Sequence, residues 1–421
     1  MLAGSVVSRW ARDIAIEKYA ELHGSPLRKA PLTEVVSVNR NTTHYFCRYQ
    51  ASALSAEPPR LENGQSGILD EIATDPLSLK GPTSSMRTSL SELLQSRRVL
   101  LADGATGTNY FESGLGPGEP PEFWNFDHPE RVKDLHQRFV DNGSDIILTN
   151  TFGCNAHRLK LHKAEARAFE LAKRAAELAR EVADACDRPV VVAGSVGPTG
   201  ELFEPLGALT FEAAVASFRT EIEGLQAGGA DVAWIETMSS VEEVRAAAQA
   251  AIDVGMPYTA TLSFDTAGRT MMGIMPGAIA SVFDGLSVPP VAMGANCGVG
   301  ASDILVTLLA MSDSCGLDNV YISKGNCGVP QFHGTEIVYS GTTEVMASYA
   351  ALAIALGARI IGGCCGTSPA HIAAMRKSID AELNLGRPTI DVIVANVGPL
   401  TNSAPSETAG RERTRGRRQE G

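Results

Sequence analysis

Three cysteines stand at the ends of two apolar runs, where thiol groups are difficult to explain by packing alone. Cys364 and Cys365 follow the run Ile360-Ile361-Gly362-Gly363, and Cys297 ends a similar run that begins at Val291. Both runs have the pattern of buried strands that end in glycine-rich turns, which is where an α/β protein carries its chemistry. Three thiolates brought together from two strand ends would form a zinc site with one coordination position left over.

The elements that must bring these cysteines together alternate regularly from Val99 onward. Strand-like runs begin at Val99, Asp145, Val190, Asp231, Pro257, Val291, Val320 and Arg359. Helical patterns cover residues 129–142, 159–185, 210–227, 240–254, 276–285, 301–312, 342–356 and 369–383. This alternation predicts an α/β fold of the (β/α)₈ TIM barrel type, with a doubly wound open sheet as the alternative. In such a barrel the sixth and eighth strands flank the seventh, so their C-terminal ends converge at the mouth.

The chain is predicted to have three parts. Residues 1–85 hold one plausible helix, from Arg9 to Leu22, and then prolines among Ser, Gly and Glu, which indicates a poorly ordered N-terminal extension. The simplest interpretation is a leader without function, or a mis-chosen start with Met86 as the true one. Residues 86–390 form the barrel, and residues 391–421 form a C-terminal segment with a basic, disordered tail.

Composition narrows the class of protein. The chain has 421 residues, of which 44% are hydrophobic, so it can bury a large core. Its formal charge of -12 argues against nucleic acid as a partner. Eight cysteines are too few for a disulfide scaffold in a chain of this length. No apolar run approaches the roughly 18–20 residues of a membrane span, and the first residues lack the features of a secretory signal. A cytoplasmic protein without a membrane partner is therefore expected, and a homo-oligomer is an expectation too, because barrel helices often pack between subunits.

Four motifs together resemble the homocysteine S-methyltransferases, a family of zinc-dependent TIM barrels. These are Asp103-Gly-Ala-Thr-Gly-Thr108, Glu236-Thr237, Gly294-Ala-Asn-Cys-Gly298 and Gly362-Gly-Cys-Cys-Gly-Thr367. The resemblance runs from about Leu90 to Asp380. Within the family, the stretches 194–201, 231–237 and 263–268 look most like a bacterial betaine-homocysteine S-methyltransferase. The resemblance implies that Cys297, Cys364 and Cys365 bind zinc and that homocysteine accepts the methyl group.

Chemistry explains why a methyltransferase of this kind needs three cysteines. A free thiol, with a pKa of about 8.5, is mostly protonated at neutral pH and is a poor nucleophile. Zinc would hold homocysteine as a thiolate at the open position. The resemblance assigns Asp103, Gly104 and Glu236 to the amino-acid end of homocysteine, with the carboxylates suited to its ammonium. Backbone N–H groups after Asp103, or the hydroxyl of Thr237, could meet its carboxylate.

The methyl donor is predicted to be a small onium compound, with betaine first. A quaternary ammonium favours aromatic faces, and Trp124 and Phe152 are the candidates, against ordinary packing as the alternative at each. Animal betaine enzymes carry another aromatic residue after the position of Phe152, whereas Gly153-Cys154 follow here. S-methylmethionine or another sulfonium compound is therefore the alternative donor.

The role of Cys327, at the end of the seventh strand, distinguishes a catalytic zinc protein from a non-catalytic one. It is predicted to lie near the metal without binding it, which leaves the site open for catalysis. A fourth cysteine ligand would close the site, and the protein would then be a non-catalytic zinc-binding or thiol-binding barrel.

Overall fold

The structure is a computed structural model that describes residues 87–328, 330–333 and 336–401. The predicted helix from Arg9 to Leu22 and the basic tail beyond residue 401 lie outside these residues. The strands are β1 (Leu100–Leu101), β2 (Ile146–Leu148), β3 (Val191–Val196), β4 (Val232–Met238), β5 (Tyr258–Leu262), β6 (Ala292–Cys297), β7 (Tyr321–Gly325), β8 (Pro330–His333), β9 (Glu336–Tyr339) and β10 (Ala358–Gly363). The α-helices are α1 (Leu90–Ser96), α2 (Gly107–Glu112), α3 (Trp124–Asp127), α4 (Pro129–Asp141), α5 (Ala156–Leu159), α6 (Ala168–Asp184), α7 (Phe211–Ala227), α8 (Val241–Val254), α9 (Ala301–Cys315), α10 (Thr343–Ala355), α11 (Pro369–Asp380) and α12 (Ile390–Val397).

Eight parallel strands form one sheet in the order β1-β10-β7-β6-β5-β4-β3-β2. A parallel bridge between Ala102 and Ile146 joins β1 to β2, the two ends of that order. The sheet is thereby closed into a barrel, so the predicted (β/α)₈ architecture is confirmed and the open-sheet alternative is wrong. None of the helices in the described ranges is long and apolar enough to cross a bilayer.

Alternate residues of each strand point into the barrel or toward the helices, because side chains of a strand alternate between its two faces. Val232 and Trp234 of β4 belong to the interior cluster, whereas Ala233 and Ile235 belong to the larger layer between strands and helices. By the same alternation Glu236 continues the inward series of β4. A carboxylate is therefore placed where the interior reaches the mouth.

Helix α1 closes the N-terminal end of the barrel. Leu90, Leu93 and Leu94 join the same interior cluster as the first residues of the strands. A capping box holds the start of this helix: the hydroxyl of Ser89 accepts from the amide of Glu92 at 3.2 Å, and the carboxylate of Glu92 accepts from the amide of Ser89 at 2.9 Å. With one end filled by leucines, the opposite end is left to carry polar chemistry.

Several connections differ from the predictions. The helix expected over residues 159–185 is interrupted, because Lys163 has a left-handed backbone (φ 55°) and two 3₁₀ turns, Lys160–His162 and Glu165–Arg167, precede α6. Residues 276–285, expected as a helix, form the 3₁₀ turns Pro276–Ala278 and Ala280–Phe283. The antiparallel hairpin of β8 and β9, and the helix α12, were not predicted at all.

Candidate metal and substrate site

The strand register brings the three predicted cysteines together. Strand β7 lies between β6 and β10, and both Cys297 and Gly363 are paired with Gly325 of β7. Cys364 then donates its amide to the carbonyl of Gly325 at 2.8 Å. The sulfur atoms of Cys297, Cys364 and Cys365 all lie within 4.8 Å of one another.

Two asparagines at the ends of neighbouring strands hold the cysteine backbone in this arrangement. Asn326 accepts from the amide of Cys365 at 3.0 Å and donates to the carbonyl of Gly298 at 3.1 Å. Its amide nitrogen also lies 3.8 Å from the sulfur of Cys297, and that of Asn296 lies 3.9 Å from the sulfur of Cys364. N–H groups aimed at sulfur favour the thiolate, and such outer contacts orient metal ligands.

The backbone at Cys297 is strained in a way that fits a functional position. Its φ is 59°, in the left-handed region that residues with a side chain rarely adopt. Thr237 at the end of β4 shares this feature with a φ of 63°. The side chain of Asn296 links the two positions, because it accepts from the amide of Thr237 and donates to its hydroxyl, both at 2.8 Å.

The three thiols share their protons unequally. Hydrogen bonds to Cys364 and Cys365 raise the pKa of Cys297, whereas hydrogen bonds from Cys297 and Cys364 hold the pKa of Cys365 well below its usual range. The phenol of Tyr339, at the end of β9, also hydrogen-bonds to Cys365 and lowers that pKa. The thiolate of Cys365 is therefore favoured over those of Cys297 and Cys364 by the protein's own contacts.

Zinc fits this donor set. Tetrahedral zinc with Zn–S bonds of about 2.3 Å places its sulfur ligands about 3.8 Å apart, which is compatible with the observed limit of 4.8 Å. Among the described residues this is the one group of three or more cysteine, histidine or acidic side chains close enough to share a metal. Three protein sulfurs leave a fourth tetrahedral position for a substrate atom.

Cys327 is turned away from that group. Its sulfur donates to the carbonyl of Gly341 at 3.1 Å and lies 3.2 Å from Nε2 of His371. Nδ1 of His371 accepts from the amide of Ser368 at 3.1 Å, so the neutral ring carries its proton on the nitrogen that faces Cys327. The sulfur of Cys327 therefore has hydrogen-bond partners outside the group of three cysteines.

Glu236 lies at the floor of the mouth, only 8% exposed. Its Oε1 accepts from the hydroxyl of Ser195 at 2.5 Å. Burial raises its pKa to about 7, although the nearby Lys324 opposes this shift. A carboxyl group that is half ionised near neutral pH is suited to receive a cationic group of a ligand.

Asp103 forms a buried ion pair with Lys324. Its Oδ1 lies 2.8 Å from the ammonium of Lys324, and each side chain is 2% exposed. The other oxygen accepts from the amide of Leu148 at 2.7 Å. Burial lowers the pKa of Lys324, but the carboxylates of Asp103 and Glu236 outweigh burial and raise it, so the lysine is charged.

Two glycines allow close packing near Lys324 and near the turn after Cys365. A Cβ on Gly362 would lie 3.1 Å from Cγ of Lys324, so the lysine stem passes across the bare backbone of β10. A Cβ on Gly104 would lie 2.5 Å from the carbonyl oxygen of Thr367, so the segment after β1 approaches the turn that follows Cys365 closely. The amide of Ala105 donates to that same carbonyl at 3.0 Å.

The two predicted donor-binding aromatics occupy different surroundings. Trp124 is buried; its indole N–H donates to Glu119 at 2.9 Å, and its ring contacts Tyr110 and the guanidinium of Arg131. Phe152 follows β2 and is 37% exposed, with its ring against Gly197. Phe152 is therefore accessible to a ligand, while the faces of Trp124 already have partners.

Several site residues were not assigned roles from the sequence. Lys324 stands in a strand of otherwise small or apolar residues, which is a signal that an inward charge has a partner. No role was predicted for Ser195, Asn296 or Asn326 either. Tyr339 had no signal, because the hairpin that carries it was not predicted.

Comparison with known proteins gives the same relationship from three directions. Residues 100–379 match a sequence model of the family described as "Homocysteine S-methyltransferase". The chain is 30% identical over 309 residues to methionine synthase of Mycobacterium tuberculosis, covering 70% of this chain and 25% of that protein, and 29% identical over 301 residues to the methionine synthase of Mycobacterium leprae, covering 68% and 24%. The chain thus spans about a quarter of the length of these curated relatives.

Solved structures show the same fold. The metallated form of the Escherichia coli homocysteine methyltransferase MmuM superposes with a TM-score of 0.58 at 24% identity, covering 68% of this chain and 98% of that chain. The oxidised form of the same enzyme gives the same TM-score and identity, with 97% of that chain covered.

Proposed function

Since this chain belongs to the homocysteine S-methyltransferase family, we propose that it transfers a methyl group from a small onium donor to homocysteine, giving methionine. Betaine is the proposed first donor, and it would leave as dimethylglycine. The observation that carries the proposal is the group of three cysteine sulfurs within 4.8 Å of one another at the barrel mouth, with one tetrahedral position to spare.

We propose that Cys297, Cys364 and Cys365 hold zinc. When bound, zinc supplies a charge that keeps the substrate thiol ionised at neutral pH, where a free thiol is mostly protonated. The protein supplies the amides of Asn296 and Asn326, which orient two of the three cysteines. Methyl transfer is then an in-line displacement in which the positioning of thiol and donor counts most.

The amino-acid end of homocysteine is proposed to lie along the ends of β1 and β4. Glu236 is the better placed partner for the ammonium, because both oxygens of Asp103 are already engaged, by Lys324 and by the amide of Leu148. Asp103 is proposed to act indirectly in substrate binding: it pairs with Lys324, and this pair determines the charge next to Glu236. Gly104 follows β1 and Thr237 lies near the end of β4, and the hydroxyl of Thr237 still has a proton to donate to the substrate carboxylate.

A cationic donor suits the charge of this mouth. With zinc bound, the three thiolates and the ion would carry one net negative charge, and Glu236 and Asp103 outweigh Lys324, the one buried lysine or arginine among the described residues. A positively charged methyl donor would therefore be attracted and would depart as a less cationic product. Phe152, with its accessible ring, is proposed to contact the onium methyl groups. Trp124 is proposed to support the wall of the mouth rather than the donor itself, because its indole binds Glu119 and its face binds Arg131.

The alternative of a closed, non-catalytic zinc site is less well supported. It requires a fourth cysteine ligand, and the sulfur of Cys327 instead contacts Gly341 and His371. A sulfonium donor such as S-methylmethionine remains the alternative to betaine, because the same acidic mouth would attract it.

The test is methionine formation by the full chain loaded with zinc, with homocysteine and one donor at a time: betaine, dimethylglycine, S-methylmethionine or a dimethylsulfonio compound. We expect one equivalent of zinc and turnover with one donor. Cys364→Ala should lose both, whereas the matched variant Cys327→Ala should keep both. Zinc binding without turnover for any donor would refute the proposed reaction, and loss of zinc in Cys327→Ala would refute the three-cysteine site.

A further inference from the structure

A second concave site lies at the opposite end of the barrel from the cysteines. A cavity of about 480 Å³ is lined by residues that precede β1, β2 and β3 and by the end of α11. This volume falls within the range of roughly 300–1,000 Å³ that is usual for small-molecule sites. Four of its lining residues are arginines: Arg97, Arg98, Arg188 and Arg376.

Three of these arginines converge on one buried carboxylate. Asp145, whose side chain is 2% exposed, forms ion pairs with Arg97, with Arg376 at 3.2 Å and with Arg188 at 3.5 Å. The carboxylate also accepts from the amide of Leu101 at 2.9 Å. A carboxylate has few acceptor sites, whereas each guanidinium carries a fork of N–H donors, so Asp145 cannot satisfy all three. Arg188 also donates to the carbonyls of Val140 and Ser144, at 2.7 and 2.9 Å, whereas Asp145 is the one partner found for the side chain of Arg97 among the described residues.

Other acidic side chains compensate for this excess only in part. Asp380 pairs with Arg376 at 2.6 Å but is itself 63% exposed, and Glu382 is the third acid that lines the cavity. The Nε of Arg376 is buried and has no hydrogen-bond partner among the described residues. Arg98 is exposed, and no side-chain partner is found for it in the described part of the chain. Arg97 and Arg98 are therefore the arginines that keep accessible N–H donors on the walls of the cavity.

We propose that this cavity, bounded by Arg97, Arg98, Arg188 and Arg376, binds a small molecule that carries a phosphate group. Guanidinium forks match the oxygens of phosphate, and a tetrahedral dianion can accept from several directions at once, as arginines on different walls require. The chain as a whole carries a charge of -12, so this concentration of arginines is local and would attract an anion that the rest of the surface repels. The site is separate from the cysteines and does not depend on the proposed methyl transfer.

The test is calorimetric titration of the full chain with inorganic phosphate and, separately, with glycerol 2-phosphate, at an ionic strength held constant with sodium chloride. We expect saturable binding of one equivalent, weakened about tenfold in Arg98→Gln, because one charge-assisted contact is lost. The side chain of Arg98 has no hydrogen-bond or ion-pair partner among the described residues, so its replacement should leave folding intact, which circular dichroism checks. Arg219→Gln is the matched control, because Arg219 is an exposed arginine that pairs with Asp253 on another side of the barrel.

The outcomes separate the site from general charge effects and from the cysteine site. Binding that weakens in Arg98→Gln but not in Arg219→Gln or Cys364→Ala supports the proposal. The tighter of the two ligands then shows whether a free phosphate or a phosphate ester is preferred. The absence of saturable binding, or equal weakening in both arginine variants, overturns it.

Discussion

Replacing Lys324 with methionine isolates the energy of the charge pair beneath the mouth. The substitution keeps the length of the side chain but removes the ammonium that lies 2.8 Å from Asp103. Asp103 is then a buried carboxylate with only the amide of Leu148 as a partner. Removing one partner of a buried pair costs about 3–5 kcal/mol of unfolding free energy, and we expect about 3 kcal/mol because that amide contact remains.

The loss should depend on pH in a definite direction. Burial already raises the pKa of Asp103, even with Lys324 present, and removal of the lysine raises it further. A carboxyl whose pKa is higher in the folded than in the unfolded chain favours folding at low pH, and this contribution is lost as pH rises through the folded value. The variant should therefore lie closer to the parent protein at about pH 5 than at about pH 8.

Urea unfolding of both proteins at the two pH values, followed by circular dichroism, measures this difference. Lys133→Met is the matched control, because Lys133 pairs with Glu181 at 3.2 Å while both side chains are about half exposed. That variant should lose less than about 1 kcal/mol. The reasoning fails if Lys324→Met is no less stable than the control, or if its loss is the same at both pH values.

Two further predictions concern the floor and the walls of the barrel. Because the pKa of Glu236 is about 7 and its ionised form is the proposed partner of the substrate ammonium, KM for homocysteine should fall as pH rises from about 6 to about 8. This dependence should be weaker in Glu236→Gln, and an unchanged profile in that variant would contradict the assigned role. Gly294→Ala should lower the free energy of unfolding by about 1–3 kcal/mol or more, since its Cβ would lie 1.9 Å from the carbonyl oxygen of Ile322. Gly386→Ala, with nothing within 4 Å of its Cβ, is the control for the same urea experiment, and equal stability of the two variants would be the contrary result.

The barrel and the meeting of the three cysteines could be predicted from the sequence because both follow from periodic, local signals. Apolar runs that end in glycine identified the strands, and the position of β7 between β6 and β10 then placed Cys297 beside Cys364. These inferences need only strand order, which the alternation of strands and helices supplies.

The rest of the site depends on tertiary contacts that no local pattern carries. Tyr339 reaches Cys365 through a hairpin whose strands have four residues each, too short to stand out from a loop. The Asp103–Lys324 pair joins residues 221 positions apart, so neither side chain shows in its own neighbourhood that the other will neutralise it. The break at Lys163 was missed because a left-handed lysine leaves the helical pattern of its neighbours unchanged.

The joint between β1 and β2 depends on side chains as much as on backbone. The bridge at Ala102 and Ile146 is a single residue pair, supported by two backbone hydrogen bonds, from Asp103 to Ile146 and from Asp145 to Leu101. On either side of these bonds, the carboxylate of Asp145 accepts a hydrogen bond from the amide of Leu101, and the carboxylate of Asp103 accepts one from the amide of Leu148. One aspartate thus extends the ladder at each end of the barrel.

This joint has one bridged residue pair, fewer than any other two neighbouring strands of the sheet, so we expect local opening of the barrel to begin here. Each aspartate is held by cations, Lys324 at the mouth and the arginines at the opposite end. Ion pairs at both ends of the barrel therefore oppose the same local opening, and we expect the loss of either one to make that opening easier.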